Sequence, residues 1–162
     1  MDTLTLVHVL ISLAGIASGF VVLYGFLNVK RLDGWKAIFL ITTILTSVTG
    51  YFFPFVHLLP SHIVGGISLV LLAIALYARY GRQLDRSWRT IYVITAMGAL
   101  YFNVFVLVVQ GFLKVPALHA LAPTQSEPPF AIAQSIVLLI FIVPTVFAVR
   151  RFRTERGLPV SR

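Results

Sequence analysis

Phe53-Pro54-Phe55-Val56-His57-Leu58-Leu59-Pro60-Ser61-His62 is ten residues without a formal charge, joining two long apolar runs. In a soluble protein such a segment would be a poor connection, because loops at a water surface are rich in polar and charged residues. Its prolines interrupt helix on both sides. It reads instead as a turn at one face of a membrane, between a helix that leaves the bilayer and one that re-enters it. Working outward from this turn, the chain divides into five apolar runs, at about residues 3–29, 37–56, 62–80, 90–112 and 130–149. Each is close to the ~20 residues needed to cross ~30 Å of hydrocarbon. A basic tail occupies residues 150–162. The 162 residues are 59% hydrophobic and only 11% charged, against about 25% charged in soluble domains. The fold expected is all-α: one integral membrane bundle of five transmembrane helices with no separate soluble domain.

Charge orients that bundle. Twelve of the thirteen lysines and arginines fall in Lys30–Lys36, Arg79–Arg89 and the tail from Arg150, which lie on one side of a five-span arrangement; only Lys114 falls on the other. By the positive-inside rule the N-terminus is outside and the C-terminus cytoplasmic. Trp35 and Trp88 stand at the same basic boundary, where an amphipathic ring is at home. The first run lacks a basic n-region and is too long for a signal-peptide core, so it is expected to stay as a helix. A four-span count would need a re-entrant run, the third being shortest, and would carry a basic segment outside. The net charge of +8 is explained by topology and not by nucleic acid. The stripe Arg79, Arg82, Arg86, Arg89 serves as an anchor and a contact for anionic lipids at the cytoplasmic face. Absence of cysteine excludes disulfides, thiolate metal sites and thiol redox chemistry.

All four histidines map to the outer side: His8 near the start of the first helix, His57 and His62 in or beside the uncharged turn, His119 in the connection before the last helix. His8, Ser12, Gly15 and Gly19 follow one another at steps of four, three and four, so His8 shares a face with a small-xxx-small pattern that lets another helix approach. Gln110 and Gln134 map to the same level, as does Glu127, which also reads as a solvated residue at the entry of the last helix. Pro116–Ala122 reads as a short surface helix begun by proline. These residues fit three chemistries. His8, His57, His62, His119 and Glu127 suit a divalent transition metal. Two histidines from facing helices suit haem b. The histidines with Gln110 and Gln134 suit a quinone headgroup. No zinc-enzyme, Walker A or nucleophile-elbow motif is present, and whether the chain is an enzyme stays open.

The segments Thr46–Phe55, Ala99–Gln110 and Lys114–Pro123 resemble small multi-pass proteins of the bacterial inner membrane to which no activity is assigned. The resemblance implies that location and nothing catalytic. The function expected is a redox-associated membrane protein with an outward-facing histidine site. Two others stand beside it: a non-catalytic subunit whose small-residue faces pack on a membrane partner or a second copy, and a small-solute transporter lined by Thr43, Ser47 and Asn103.

Overall fold

The computed structural model describes residues 3–53, 60–85 and 87–154. The described residues are helical, without strands. In chain order they form α1 (Thr3–Leu27), α2 (Asp33–Gly50), α3 (Pro60–Leu76), α4 (Trp88–Lys114), the six-residue α5 (Pro116–Leu121) and α6 (Pro128–Thr154). A five-residue π-helical turn, Tyr77–Gly81, extends α3. Among the described residues four segments are long and apolar enough to cross a membrane: Thr3–Leu27, His62–Gly81, Trp88–Lys114 and Pro128–Arg151. Every one of them leaves large apolar side chains exposed on its outward face, among them Leu10, Val70, Ile94 and Leu139. In water such surfaces would be a severe liability; against lipid tails they are the normal exterior.

The helix that falls short of those four is α2, not the third run. It begins at Asp33, four residues earlier than its apolar stretch, and it ends at Gly50, six residues sooner than the run suggests. Asp33 opens the helix because a carboxylate is favoured at the positive end of the helix dipole. At the other end Tyr51 N donates to Val48 O and Phe52 N to Thr49 O, tightening the last turn. The helix is also rich in hydroxyls, and Thr42 and Thr49 donate to the carbonyls of Ile38 and Leu45 at 2.7 Å. Such back-bonding satisfies the hydroxyl within its own helix. The last helix outruns its apolar stretch in the opposite sense, since α6 carries Arg150 and Arg151 and ends at Thr154.

The helices α1 to α4 and α6 run alternately up and down, and side-chain contacts give the register. At one end His8 meets Thr49, Tyr51 meets His62, and Phe112 meets Phe130. At the other, Asp33 meets Arg79, Tyr77 meets Trp88, and Arg151 reaches Leu27 O. The two ends are called here the histidine end and the basic end. Between them, nearer the basic end, lies a packed core of Val22, Phe26, Phe39, Leu40, Leu72, Val93, Ala96 and Leu100. The small-residue face of α1 is used inside this bundle. A Cβ at Gly15 would lie 3.2 Å from Thr42 Oγ1, and one at Gly19 would press on Leu100 and lie 3.0 Å from Phe39. Those two glycines therefore admit α2 and α4 of the same chain.

Candidate functional site

Towards the histidine end the same helices draw apart around a cavity of about 660 Å³. That volume lies within the ~300–1,000 Å³ usual for small-molecule sites. Its apolar wall includes Leu13, Ile16, Val64, Phe102, Val106 and Leu107; its polar groups include His8, His62, Asn103, Gln110 and Lys114. No carboxylate lines it among the described residues.

The most informative side chain is His8. Its Nδ1 lies 2.8 Å from Thr49 Oγ1. The single hydroxyl proton of Thr49 is directed at Leu45 O, 2.7 Å away, within its own helix. In the tautomer that carries its proton on Nδ1, His8 donates to Thr49 Oγ1 while that hydroxyl serves Leu45 O. The same tautomer, when neutral, presents Nε2 as a lone pair. Phe53 packs edge-on against the imidazole at 5.1 Å between centroids, and Ser12 Oγ donates to His8 O at 2.7 Å. Two neighbours from α2 and its end thus set the orientation of the ring.

His62 is buried at the start of α3. Its carbonyl accepts from Tyr51 Oη at 2.8 Å, and the Tyr51 ring lies 5.8 Å from its imidazole. This explains the pair Gly65-Gly66: a Cβ at Gly66 would lie 3.0 Å from Tyr51 Oη. The glycines let a tyrosine cross from α2 onto α3. Two further hydroxyls on the cavity wall, Thr46 Oγ1 and Ser68 Oγ, are buried and have no hydrogen-bond partner among the described residues. An unmatched buried hydroxyl costs about 1–3 kcal/mol. Their place on a cavity wall leaves them able to bond an occupant.

Of the residues expected from sequence, His8, His62 and Gln110 come together here, and His119, Gln134 and Glu127 do not line the cavity. His57 lies outside the described residues. His119 Nδ1 turns back to Phe112 O at 3.3 Å and ties α5 to α4. Gln134 Nε2 donates to Phe105 O at 3.2 Å, joining α6 to α4. Glu127 builds the turn before α6. Its Oε1 accepts from Thr124 N and Oγ1, and its Oε2 from Ser126 N. Lost hydration pushes its carboxyl up, but these bonds outweigh that and hold it below its ordinary value. No group of three histidine, aspartate or glutamate side chains converges as a metal site would require among the described residues. Of the described members of the expected metal set, His8 and His62 share the cavity wall, and His119 and Glu127 are engaged by local hydrogen bonds elsewhere. Lys114, Tyr51 and Ser68 were not legible as site residues. The one signal was that Lys114 is the single cation expected on that side.

No protein-family model, curated protein or solved structure matches the chain.

Proposed function

We propose that the chain is a five-span protein of the bacterial inner membrane, N-terminus outside and C-terminus cytoplasmic, that binds a quinone-class molecule in the cavity at its outer half. The gathering of basic residues at one end of an alternating bundle supports the orientation. The α2 helix, at 18 residues, would extend about 27 Å, enough to cross most of the hydrocarbon beside its neighbours.

The observation that carries the ligand class is the place of His8 on the cavity wall, with Nδ1 engaged by Thr49 and Nε2 left for a ligand. As an acceptor Nε2 pairs with a hydrogen-bond donor on the ligand, and a quinol hydroxyl is one. Lys114, Gln110 and Asn103 supply donors for the carbonyl oxygens of the oxidised form. The apolar wall takes the ring and the start of a tail. A wall without a carboxylate among the described residues suits a neutral headgroup better than a cationic solute. The α1 glycines pack within this chain, Gly15 against Thr42 and Gly19 against Phe39 and Leu100, and a partner subunit would pack on other faces.

The test is isothermal titration of the detergent-purified protein with a short-chain benzoquinone and naphthoquinone. The expected result is one-to-one binding, weakened about tenfold or more (about 1.4 kcal/mol) by His8→Ala with His62→Ala while the melting temperature is retained. Unchanged binding in that double variant would sink the reading. A Soret band in the absorption spectrum of the same sample would transfer the two histidines to a b-type haem.

A further inference from the structure

The basic end holds a second pocket, of about 450 Å³, lined by Lys30, Arg31, Asp33, Lys36, Arg79 and Arg89 together with Val29, Gln83 and Leu84. Five cations thus face one carboxylate. Lys36 is only 6% exposed, and the Arg79 side chain 14%. Both depend on the same oxygen: Asp33 Oδ1 lies 2.8 Å from Arg79 Nη2 and 3.4 Å from Lys36 Nζ. A single exposed carboxylate cannot neutralise two buried cations, and Arg79 Nε is buried with no hydrogen-bond partner among the described residues.

The backbone around this pocket is unusual in the same direction. Among the described residues four non-glycine residues have left-handed φ, and three of them, Val29 (54°), Gln83 (47°) and Leu84 (57°), line the pocket. For a β-branched valine that conformation is a true outlier, costing on the order of 1–3 kcal/mol. The π-turn Tyr77–Gly81 inserts an extra residue at the same place and holds Arg79 between the rings of Tyr80 and Tyr92, 5.5 and 5.8 Å from the guanidinium. π-turns of this kind are concentrated at functional sites. Topological anchoring explains exposed arginines at a helix end. It explains neither a buried Lys36 nor strain concentrated around one hollow.

We infer that this pocket is a binding site for a phosphate-class anion, held by Arg79, Lys36 and the rim cations Lys30, Arg31 and Arg89. A guanidinium fork matches two phosphate oxygens, and the lysines add point charges. Asp33 opposes the anion and serves to hold Arg79 and Lys36 in place. The same phosphate chemistry could arrive as the headgroup of an anionic phospholipid or as a free phosphate.

The experiment measures the melting temperature of the full chain in neutral detergent, titrated separately with phosphatidylcholine, with phosphatidylglycerol, and with inorganic phosphate at fixed ionic strength. Stabilisation by phosphatidylglycerol alone identifies the lipid; equal stabilisation by inorganic phosphate identifies the free anion. Either supports the site if Arg31→Gln with Arg89→Gln weakens the apparent affinity roughly tenfold and Arg153→Gln with Arg156→Gln, which removes equal charge from the tail, changes it by less than about twofold. Equal weakening by both pairs would reduce the effect to general surface charge and overturn the site. So would stabilisation by no anion, or equal stabilisation by phosphatidylcholine.

Discussion

Leu100 and Leu107 stand seven residues apart on one face of α4, yet they meet different surroundings. Leu100 is fully buried between α1 and the core, pressed against the position of Gly19. Leu107 is 45% exposed and lines the cavity. Between them the bundle changes from a filled interior near the basic end to an open one near the histidine end. The difference lies in what the neighbouring helices present, not in the residue. Beside Leu100 stand Gly19 and Phe39, which interlock; the cavity wall that Leu107 shares also carries the small side chains of Ser12 and Ser47. Within a bilayer, helices cohere by close packing and not by exclusion of water. Cohesion therefore concentrates in the filled half, and the open half is free to bind.

That contrast fails if the two leucines prove equivalent. Leu100→Ala should lower stability by about 2–5 kcal/mol, the cost of a cavity in a close-packed core. Leu107→Ala removes the same atoms from a wall that is already open, and should cost well under half as much. Thermal unfolding in one detergent decides it, and equal losses would mean that the hollow is packed in solution. A finer cut concerns the open half alone. Thr49→Val removes the hydrogen-bonding partner of His8 Nδ1 while keeping the shape of the side chain. It should weaken quinone binding by about 0.5–1.5 kcal/mol, the worth of an ordinary hydrogen bond. Thr49→Ser should restore it. Full affinity in the valine variant would show that Thr49 does not orient the ring.

Much of the architecture was legible in the chain because membrane helices declare themselves by length and hydropathy. The five apolar runs correspond to five long helices, and the proline at 116 does begin a short helix. The stripe through His8 and Gly19 does face its neighbours. Boundaries moved where a local hydrogen bond or a charge competed with apolar periodicity, as at Asp33 and Gly50. The site was legible only in part. His8 and His62 share a cavity, but His119 and Glu127 are captured by Phe112 O and by the Thr124–Ser126 turn, interactions that a spacing argument does not contain. In the sequence Lys114 and Lys36 report only the side of the bilayer on which they stand. Where a long cationic side chain rests its stem and head depends on the hollows beside it, and a hollow belongs to no single residue.

The smallest effect compares the two ends through their carboxylates. Hydrogen bonding from Arg79, with the charge of Lys36 beside it, holds the Asp33 carboxyl below its ordinary value. A carboxylate lowered by folding adds stability that is complete above its unfolded pKa and is lost as pH falls through the lowered one. The loss should therefore begin near pH 4, the ordinary carboxylate value, and finish below it. Because Asp33 is 63% exposed, solvent screening limits its share to less than about 1 kcal/mol. Glu127 is lowered by turn hydrogen bonds and acts with the same sign at the histidine end. Melting temperatures from pH 7 to pH 3 should fall in the parent protein and fall less in Asp33→Asn. Phosphate stabilisation should respond to Asp33→Asn, which removes the one opposing charge at the pocket, and not to Glu127→Gln. An acid profile unchanged by Asp33→Asn would show that Arg79 and Lys36 are held in place without the carboxylate, and the arrangement of the basic end would then rest on its backbone alone.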